Sequence, residues 1–214
     1  MDSKIKAIIF DWNGVVVDSF KLDHFIFLKL SKHGGIKVNT SLKFYKTLYH
    51  GDMFDRLLNL GYTEEELKDT SEYRRIYKEN IHMSKTFPGI KTLLTSMKKN
   101  YILSLVTANF SDTVECWINN ENFNGIFTDI LTQDNAKTKE KNIDNFLKKH
   151  KLNKSQTVYV GDTIADIAVC KKVGIRIIVA TWGYHNEKEL KKHNPDFIAR
   201  KPEDLLKILG ESDG

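Results

Sequence analysis

Short apolar runs recur along the chain, and each stops at a polar or turn-forming residue. They cover residues 5–10, 102–106, 127–131, 157–160 and 175–180, with a weaker run at 196–199. Apolar runs of this length that are bounded by turn residues are typical of buried β-strands. The pattern therefore predicts five strands and a weaker sixth.

Between these runs, apolar residues recur at the three- and four-residue spacing of amphipathic helices. Such patterns follow Pro88-Gly89, Ser111, Thr138, Thr163 and Pro202. Strands that alternate with helices favour a parallel sheet, because the crossover helices cover its faces. The predicted fold class is therefore α/β, with a doubly wound, Rossmann-like parallel sheet as its core.

Residues 19–84 interrupt the alternation, since they carry helical patterns and no convincing strand. Thr63 and Glu66 have the spacing of a capping box, and we expect a longer helix after them. We predict a core domain of residues 1–16 and 85–214, with an inserted all-helical cap domain of residues 17–84. The connections near 14–18 and 85–88 are candidate hinges, which indicates a mobile cap over an active site.

The composition narrows the classes of partner. The net charge is +5, but the basic residues occur as short pairs without interleaved aromatic residues, so we expect no nucleic-acid partner. No apolar run approaches the roughly 20 residues of a membrane span, and the N-terminal run is too short for a signal peptide. Two separated cysteines, Cys116 and Cys170, fit a reducing cytoplasm without a disulfide framework.

Polar residues follow the predicted strands at the points where they end. They are Asp11 after the first strand, Thr107 and Asn109, on either side of Ala108, after the second, and Asp162 and Asp166 after the fourth. Ligands bind beyond the carboxyl ends of the strands in open parallel sheets, so we expect these groups to converge. Two carboxylates can hold Mg²⁺ through oxygen atoms, and one can attack phosphorus. Thr107 and a lysine from the run at Lys137, Lys139 and Lys141 can stabilise the phosphate charge.

Several motifs resemble those of the haloacid dehalogenase-like superfamily. IIFDWNGVVVDS resembles its first motif, ILSLVTAN its second and YVGDTIADI its fourth, while FPGIKTLLTSMKKN resembles the segment that returns to the core after a helical cap. The resemblance covers nearly the whole chain and is weakest across the cap. The branch that it resembles includes phosphoglycolate phosphatase and β-phosphoglucomutase, which implies a Mg²⁺-dependent phosphatase of a small phosphorylated metabolite.

The resemblance also implies a role for each site residue. Asp11 is expected to be the nucleophile and a metal ligand, Asn13 to offer its backbone carbonyl, and Asp162 to complete the protein ligands. Asp166 is expected at the metal site as a supporting residue or to orient the lysine. Thr107, with Ala108 and Asn109, is expected to bind phosphate, and His50 and Gly51 lie in a loop that resembles the substrate-specificity loop. Lys139 suits one spacing of the third-motif lysine and is favoured, whereas Lys137 suits a longer Lys-Pro version whose proline is absent.

Asn13 departs from the family pattern, which has Asp at this position to protonate the leaving group and activate water. An amide cannot donate and take back a proton at neutral pH, and such acid–base help contributes about 10²–10⁴-fold. One alternative is therefore a weakly active or non-hydrolytic binding protein. Another is that His24, His50 or another cap residue substitutes for the missing acid.

Two further alternatives use similar residues. A receiver-type signalling domain also combines Asp, Thr and Lys around Mg²⁺, but it is about half this length and has no helical insert. The other alternative is hydrolysis of a carbon–phosphorus or a carbon–halogen bond. Cleavage of a carbon–phosphorus bond needs a lysine from the cap at the reaction centre. A metal-free dehalogenase would have less use for Asp162. For the oligomeric state, the sequence leaves monomer and homodimer open.

Overall fold

Eight strands are present in the computed structural model, which describes residues 4–210. They are β1 (Ala7–Phe10), β2 (Val17–Asp18), β3 (Lys85–Thr86), β4 (Ile102–Val106), β5 (Asp129–Leu131), β6 (Thr157–Gly161), β7 (Arg176–Ala180) and β8 (Phe197–Ala199). Six of them form a parallel sheet in the order β5-β4-β1-β6-β7-β8, and β2 and β3 form a separate antiparallel pair. The parallel α/β sheet predicted from the sequence is confirmed.

Eleven α-helices accompany the strands in residues 4–210. They are α1 (Phe20–His33), α2 (Leu42–Thr47), α3 (Met53–Asn59), α4 (Glu64–Lys68), α5 (Ser71–Glu79), α6 (Ile90–Met97), α7 (Ser111–Asn120), α8 (Lys139–His150), α9 (Ile164–Val173), α10 (Glu187–Lys191) and α11 (Asp204–Ile208). None of these helices combines the length and the apolarity needed to cross a membrane.

Strand β1 lies at the centre of the sheet because its sequence, AIIF, is apolar at every position and fully buried. Ile8 and Phe10 pack into the cluster under α6, α7 and α11, whereas Ala7 and Ile9 pack under α8 and α9 on the opposite face. This alternation follows from the two-residue period of a strand. Two hydrophobic layers therefore hold β1 and fix the position at which it ends.

Residues 20–83 contain five α-helices and two 3₁₀-helices, and no strand. Thr63 and Glu66 form the predicted capping box, but the expected longer helix is wrong, because Asp69 is in an extended conformation and separates α4 from α5. The antiparallel pair β2–β3, with Val17 opposite Thr86, was not predicted from the sequence. It joins the two chain segments that were predicted as hinges. The division into a core and a cap domain stays a prediction.

Candidate active site

Three carboxylates meet at the carboxyl edge of the sheet. Because β1 and β6 are parallel neighbours with Phe10 opposite Val160, Asp11 and Asp162 leave adjacent strands at the same edge. Asp166 lies in the first turn of α9, the helix that directly follows β6. All three side chains are buried, and one oxygen of each lies within 4.8 Å of the others. The structure thus brings together the acids that the sequence singled out.

Lys139 is the basic partner of these acids. Its Nζ lies 2.7 Å from Asp11 Oδ2 and 2.7 Å from Asp166 Oδ1. Thr138 caps α8, so Lys139 is the first residue of this helix and points from its start towards β1. Lys137 is exposed. Of the two lysines considered from the sequence, Lys139 is the one at the site.

The charges at the site are unbalanced. Burial raises the pKa of Asp11 to about 6, and Asp166 adds to this shift while Lys139 opposes it. The pKa of Asp162 is raised well above its usual range by burial, then by the charges of Asp166 and Asp11. One ammonium therefore faces three carboxylates in a buried region, and a divalent cation would offset the remaining repulsion.

An oxygen that lacks a partner fits such a cation. Asp162 Oδ1 is buried and has no hydrogen-bond partner among residues 4–210. Hard cations such as Mg²⁺ prefer oxygen ligands of this kind. Asp166 is less available to bind a cation, because both of its oxygens already accept hydrogen bonds. Its Oδ2 accepts from Thr163 N and Oγ1, and its Oδ1 accepts from Lys139. It is better placed to orient Lys139 than to bind metal directly.

Two glycines allow the backbone to approach Asp162. A Cβ at Gly14 would lie 2.0 Å from Asp162 Oδ2, and Gly14 also has a positive φ of 82°. A Cβ at Gly183 would lie 2.3 Å from the same oxygen and 2.4 Å from Gly14 O. The loops after β1 and β7 can close around Asp162 only because both positions lack a side chain.

Replacing Gly183 by Ala is expected to destabilise the protein by about 2 kcal/mol, because the added methyl group overlaps backbone atoms. It is also expected to weaken divalent-cation binding by moving Asp162. Urea unfolding and calorimetric titration with Mg²⁺ measure the two effects. Gly34→Ala is the matched control, since its nearest neighbours are side-chain atoms of Glu66 and Ile36 at 3.0 Å or more. Unchanged stability and cation affinity in Gly183→Ala would contradict this account of the turn.

The segment after β4 forms the third side of the site. Thr107 is buried, and its Oγ1 accepts a hydrogen bond from Asn109 N at 3.1 Å. Asn109 Oδ1 accepts from Phe110 N and Thr113 Oγ1, whereas its Nδ2 is buried without a partner within the described part of the chain. Ala108 is exposed between them. The hydroxyl proton of Thr107 and the amide of Asn109 are therefore available to an anion.

His50 and Gly51 do not join the acids. His50 Nε2 lies 3.7 Å from Glu189 Oε1, and its ring centroid lies 4.8 Å from that of His185. Gly51 is exposed and lies beside Arg56. His50 is thus at the contact between the helical segment and α10. His24 is also turned aside, since its Nε2 contacts Thr40 O at 2.9 Å.

The sequence interpretation missed a buried polar cluster next to the site. Asp23 on α1 accepts hydrogen bonds from Tyr184 Oη at 2.6 Å and Ser19 Oγ at 3.0 Å. Tyr184 N donates to Asp162 Oδ2 at 2.6 Å, which links the cluster to the acids. The sequence held one signal for Asp23, because this acid lies between the apolar residues Leu22 and Ile26 of a predicted helix. It held no signal for Tyr184, which is 161 residues from Asp23 along the chain.

The family model for haloacid dehalogenase-like hydrolases matches residues 8–180. A phosphoglycolate phosphatase of Aquifex aeolicus is 27% identical and aligns over 96% of this chain and 97% of its own length. A phosphoglycolate phosphatase of Synechococcus elongatus is 22% identical over 124 residues, and this match spans 58% of each chain.

A solved haloacid dehalogenase-like family hydrolase from Streptococcus pneumoniae superposes with a TM-score of 0.84 and is 27% identical. The superposition covers 95% of this chain and 98% of that one. Together with the sequence matches, it confirms the resemblance that the motifs predicted. The receiver-domain alternative has no support among these relatives.

Proposed function

This chain belongs to the haloacid dehalogenase-like hydrolase family, and on that premise we propose that it is a magnesium-dependent phosphatase of a small phosphorylated metabolite. The observation that carries the proposal is the buried set of Asp11, Asp162 and Asp166 with Lys139. The relatives named as phosphoglycolate phosphatases favour hydrolysis over a purely binding role.

Asp11 is the proposed nucleophile. Its Oδ1 accepts a hydrogen bond from Trp12 N, and its Oδ2 accepts one from Lys139, so the carboxylate is held in one orientation. One of its oxygens forms a bond to phosphorus while the bond from phosphorus to the substrate oxygen breaks. Water then hydrolyses the aspartyl-phosphate and restores Asp11.

Lys139 and the metal ligands would stabilise the negative charges that take part in this reaction. Asp11, Asp162 and the backbone carbonyl of Asn13 are the proposed ligands of Mg²⁺, which would neutralise phosphate charge and lower the repulsion between phosphate and Asp11. Lys139 keeps Asp11 ionised and is held in place by Asp166. Although burial acts against it, the Lys139 ammonium keeps the pKa of Asp166 below its usual value. Asp166 therefore remains a stable acceptor for the lysine.

Thr107 and Asn109 are the proposed phosphate-binding residues. Since Asn109 N donates to Thr107 Oγ1, the hydroxyl proton is free to donate to a non-bridging oxygen. Asn109 Nδ2, which has no partner in residues 4–210, and the backbone N–H of Ala108 can add donors at the same side. For residues 17–84 we propose a cap that closes over this site, with His50 and Gly51 near its contact with the core.

Mg²⁺ is expected to stabilise the protein and to be required for phosphate release. At a concentration 100-fold above its Kd, a ligand that binds only the folded state adds about 2.7 kcal/mol, which raises the Tm by several degrees. Thermal unfolding with Mg²⁺ or with a chelator measures this shift. A phosphatase screen over phosphorylated metabolites under the same two conditions measures the activity.

Variants of single acids make the test specific. Asp162→Asn should lose the Mg²⁺-dependent rise in Tm, whereas Asp55→Asn, at an exposed position of α3, should keep it. If the chelated protein releases phosphate as fast as the Mg²⁺-loaded protein, the metal-dependent mechanism is wrong.

A further inference from the structure

A buried carboxylate without a basic partner lies on the helical side of the site. Asp23 is 6% exposed, and its Oδ2 accepts hydrogen bonds from Tyr184 Oη and Ser19 Oγ. No ion pair involves Asp23 among residues 4–210. Burial raises its pKa to about 6, and the two hydroxyl groups oppose the shift. Asp23 is therefore largely ionised at pH 7.5 and is not neutralised by the protein.

Asp23 and the phosphate-binding residues share the same neighbours. Tyr184 reaches Asp23 with its hydroxyl and Asp162 with its backbone N–H. On α5, burial and then the charge of Asp23 raise the pKa of Tyr77, while the Trp12 and Asn109 side chains oppose the shift. The hydroxyl of Tyr77 is buried and has no hydrogen-bond partner among the described residues. Tyr184 thus connects Asp23 directly to one of the acids of the site, and we expect the leaving group of a bound substrate to extend towards this carboxylate.

Aromatic rings surround the carboxylate. Tyr184 packs against Phe20 and Tyr49 with ring centroids 4.9 Å and 4.8 Å apart, and Phe20 packs against Tyr45 at 5.6 Å. Phe20 and Tyr49 are only half-buried, so neither residue is fully enclosed by the protein. Aromatic faces attract cations, including quaternary ammonium groups, and they attract them more strongly beside a carboxylate.

The basic residues that link the helical segment to the core are already paired. Arg74 forms ion pairs with Asp112 and Asp134, and Lys78 also pairs with Asp112. Lys46 lies 3.8 Å from Glu189. These cations are balanced by core carboxylates and provide little excess positive charge for an anionic leaving group.

We propose that the site prefers phosphomonoesters whose alcohol carries a positive charge, with Asp23 pairing with an ammonium group that lies against the rings of Phe20 and Tyr49. This inference rests on the proposed phosphatase function, since it names the substrate class of that site. It also implies that a carboxylate-bearing substrate such as phosphoglycolate is disfavoured, because Asp23 would repel its free carboxylate.

The test compares O-phosphoethanolamine and phosphocholine with 2-phosphoglycolate, measured as kcat/KM at pH 7.5 with Mg²⁺. We expect the wild-type protein to favour at least one of the cationic substrates over 2-phosphoglycolate by roughly tenfold or more. In Asp23→Asn this ratio should fall by roughly tenfold. Asp55→Asn removes an equal charge from an exposed position of α3 and should leave the ratio unchanged.

The opposite preference would overturn the inference, as would equal changes in Asp23→Asn and Asp55→Asn.

Binding measurements distinguish a failure of this inference from a failure of the proposed function. Calorimetry on Asp11→Asn with Mg²⁺ measures the affinity for O-phosphoethanolamine and for 2-phosphoglycolate without turnover. If wild-type protein hydrolyses no compound of the phosphatase screen, the proposed function fails, whereas tighter binding of O-phosphoethanolamine that depends on Asp23 would still support the charge preference. Equal or weaker binding of the cationic compound refutes it.

Discussion

The Asp11→Asn protein is expected to release phosphate at least about 10⁴-fold more slowly than the wild-type protein, because an amide cannot form the aspartyl-phosphate. The change preserves the size of the side chain, so the fold should persist. It also removes one of three negative charges that repel each other at the site, so the Tm without metal should not fall. Phosphate release and thermal unfolding, each measured on the same preparation, check both expectations.

Asp18→Asn is the matched control for this experiment. Asp18 lies in β2, a few residues further along the chain, and its side chain is exposed. Its replacement should leave phosphate release within about twofold of wild type, as expected for a surface change away from the site. If Asp11→Asn and the wild-type protein release phosphate at the same rate, Asp11 is not the nucleophile and the proposed reaction fails.

Asn13→Asp is expected to raise kcat for alkyl phosphates by about 10²-fold or more, within the 10²–10⁴-fold range of general acid–base catalysis. Asn13 Oδ1 is buried without a hydrogen-bond partner among the described residues, so a carboxyl group at this position would break no existing hydrogen bond of this oxygen and could exchange a proton with the leaving group. The amide of the natural residue cannot do so. Steady-state kinetics with an alkyl phosphate such as glycerol 3-phosphate measures the gain.

The leaving group supplies the control for this prediction. Acetyl phosphate expels a weakly basic group and needs little protonation, so Asn13→Asp should speed its hydrolysis far less than that of an alkyl phosphate. A similar gain on both substrates would indicate a change in metal binding instead of proton transfer. No gain on either would mean that another group already performs acid–base catalysis in the wild-type protein.

Local patterns in the sequence were sufficient to predict the central sheet and the positions of the acids at its strand ends. A strand such as β1 is apolar at every residue and ends at a charged one, and this contrast needs no knowledge of the rest of the chain. The general rule that ligands bind at the carboxyl ends of parallel strands then grouped Asp11 with Asp162. The capping box at Thr63 was equally local, since its two residues are three apart.

Tertiary structure alone decided which side chains meet across long stretches of chain. The motif spacing favoured Lys139 but left Lys137 open, and the packing of α8 beside β1 is what brings Lys139 to Asp11, 128 residues away. The pairing of β2 with β3 was hidden for the same reason, because two-residue strands carry no periodic pattern.

The environment of Asp23 has the same origin. Its burial and its hydrogen bond to Tyr184 arise when α1 packs against the loop after β7, and no local pattern encodes that contact. The sequence by itself thus determined the chemistry available at the strand ends. The three-dimensional packing decided which lysine lies beside Asp11 and which carboxylate is buried next to Tyr184, because charge and burial depend on neighbours that are distant along the chain.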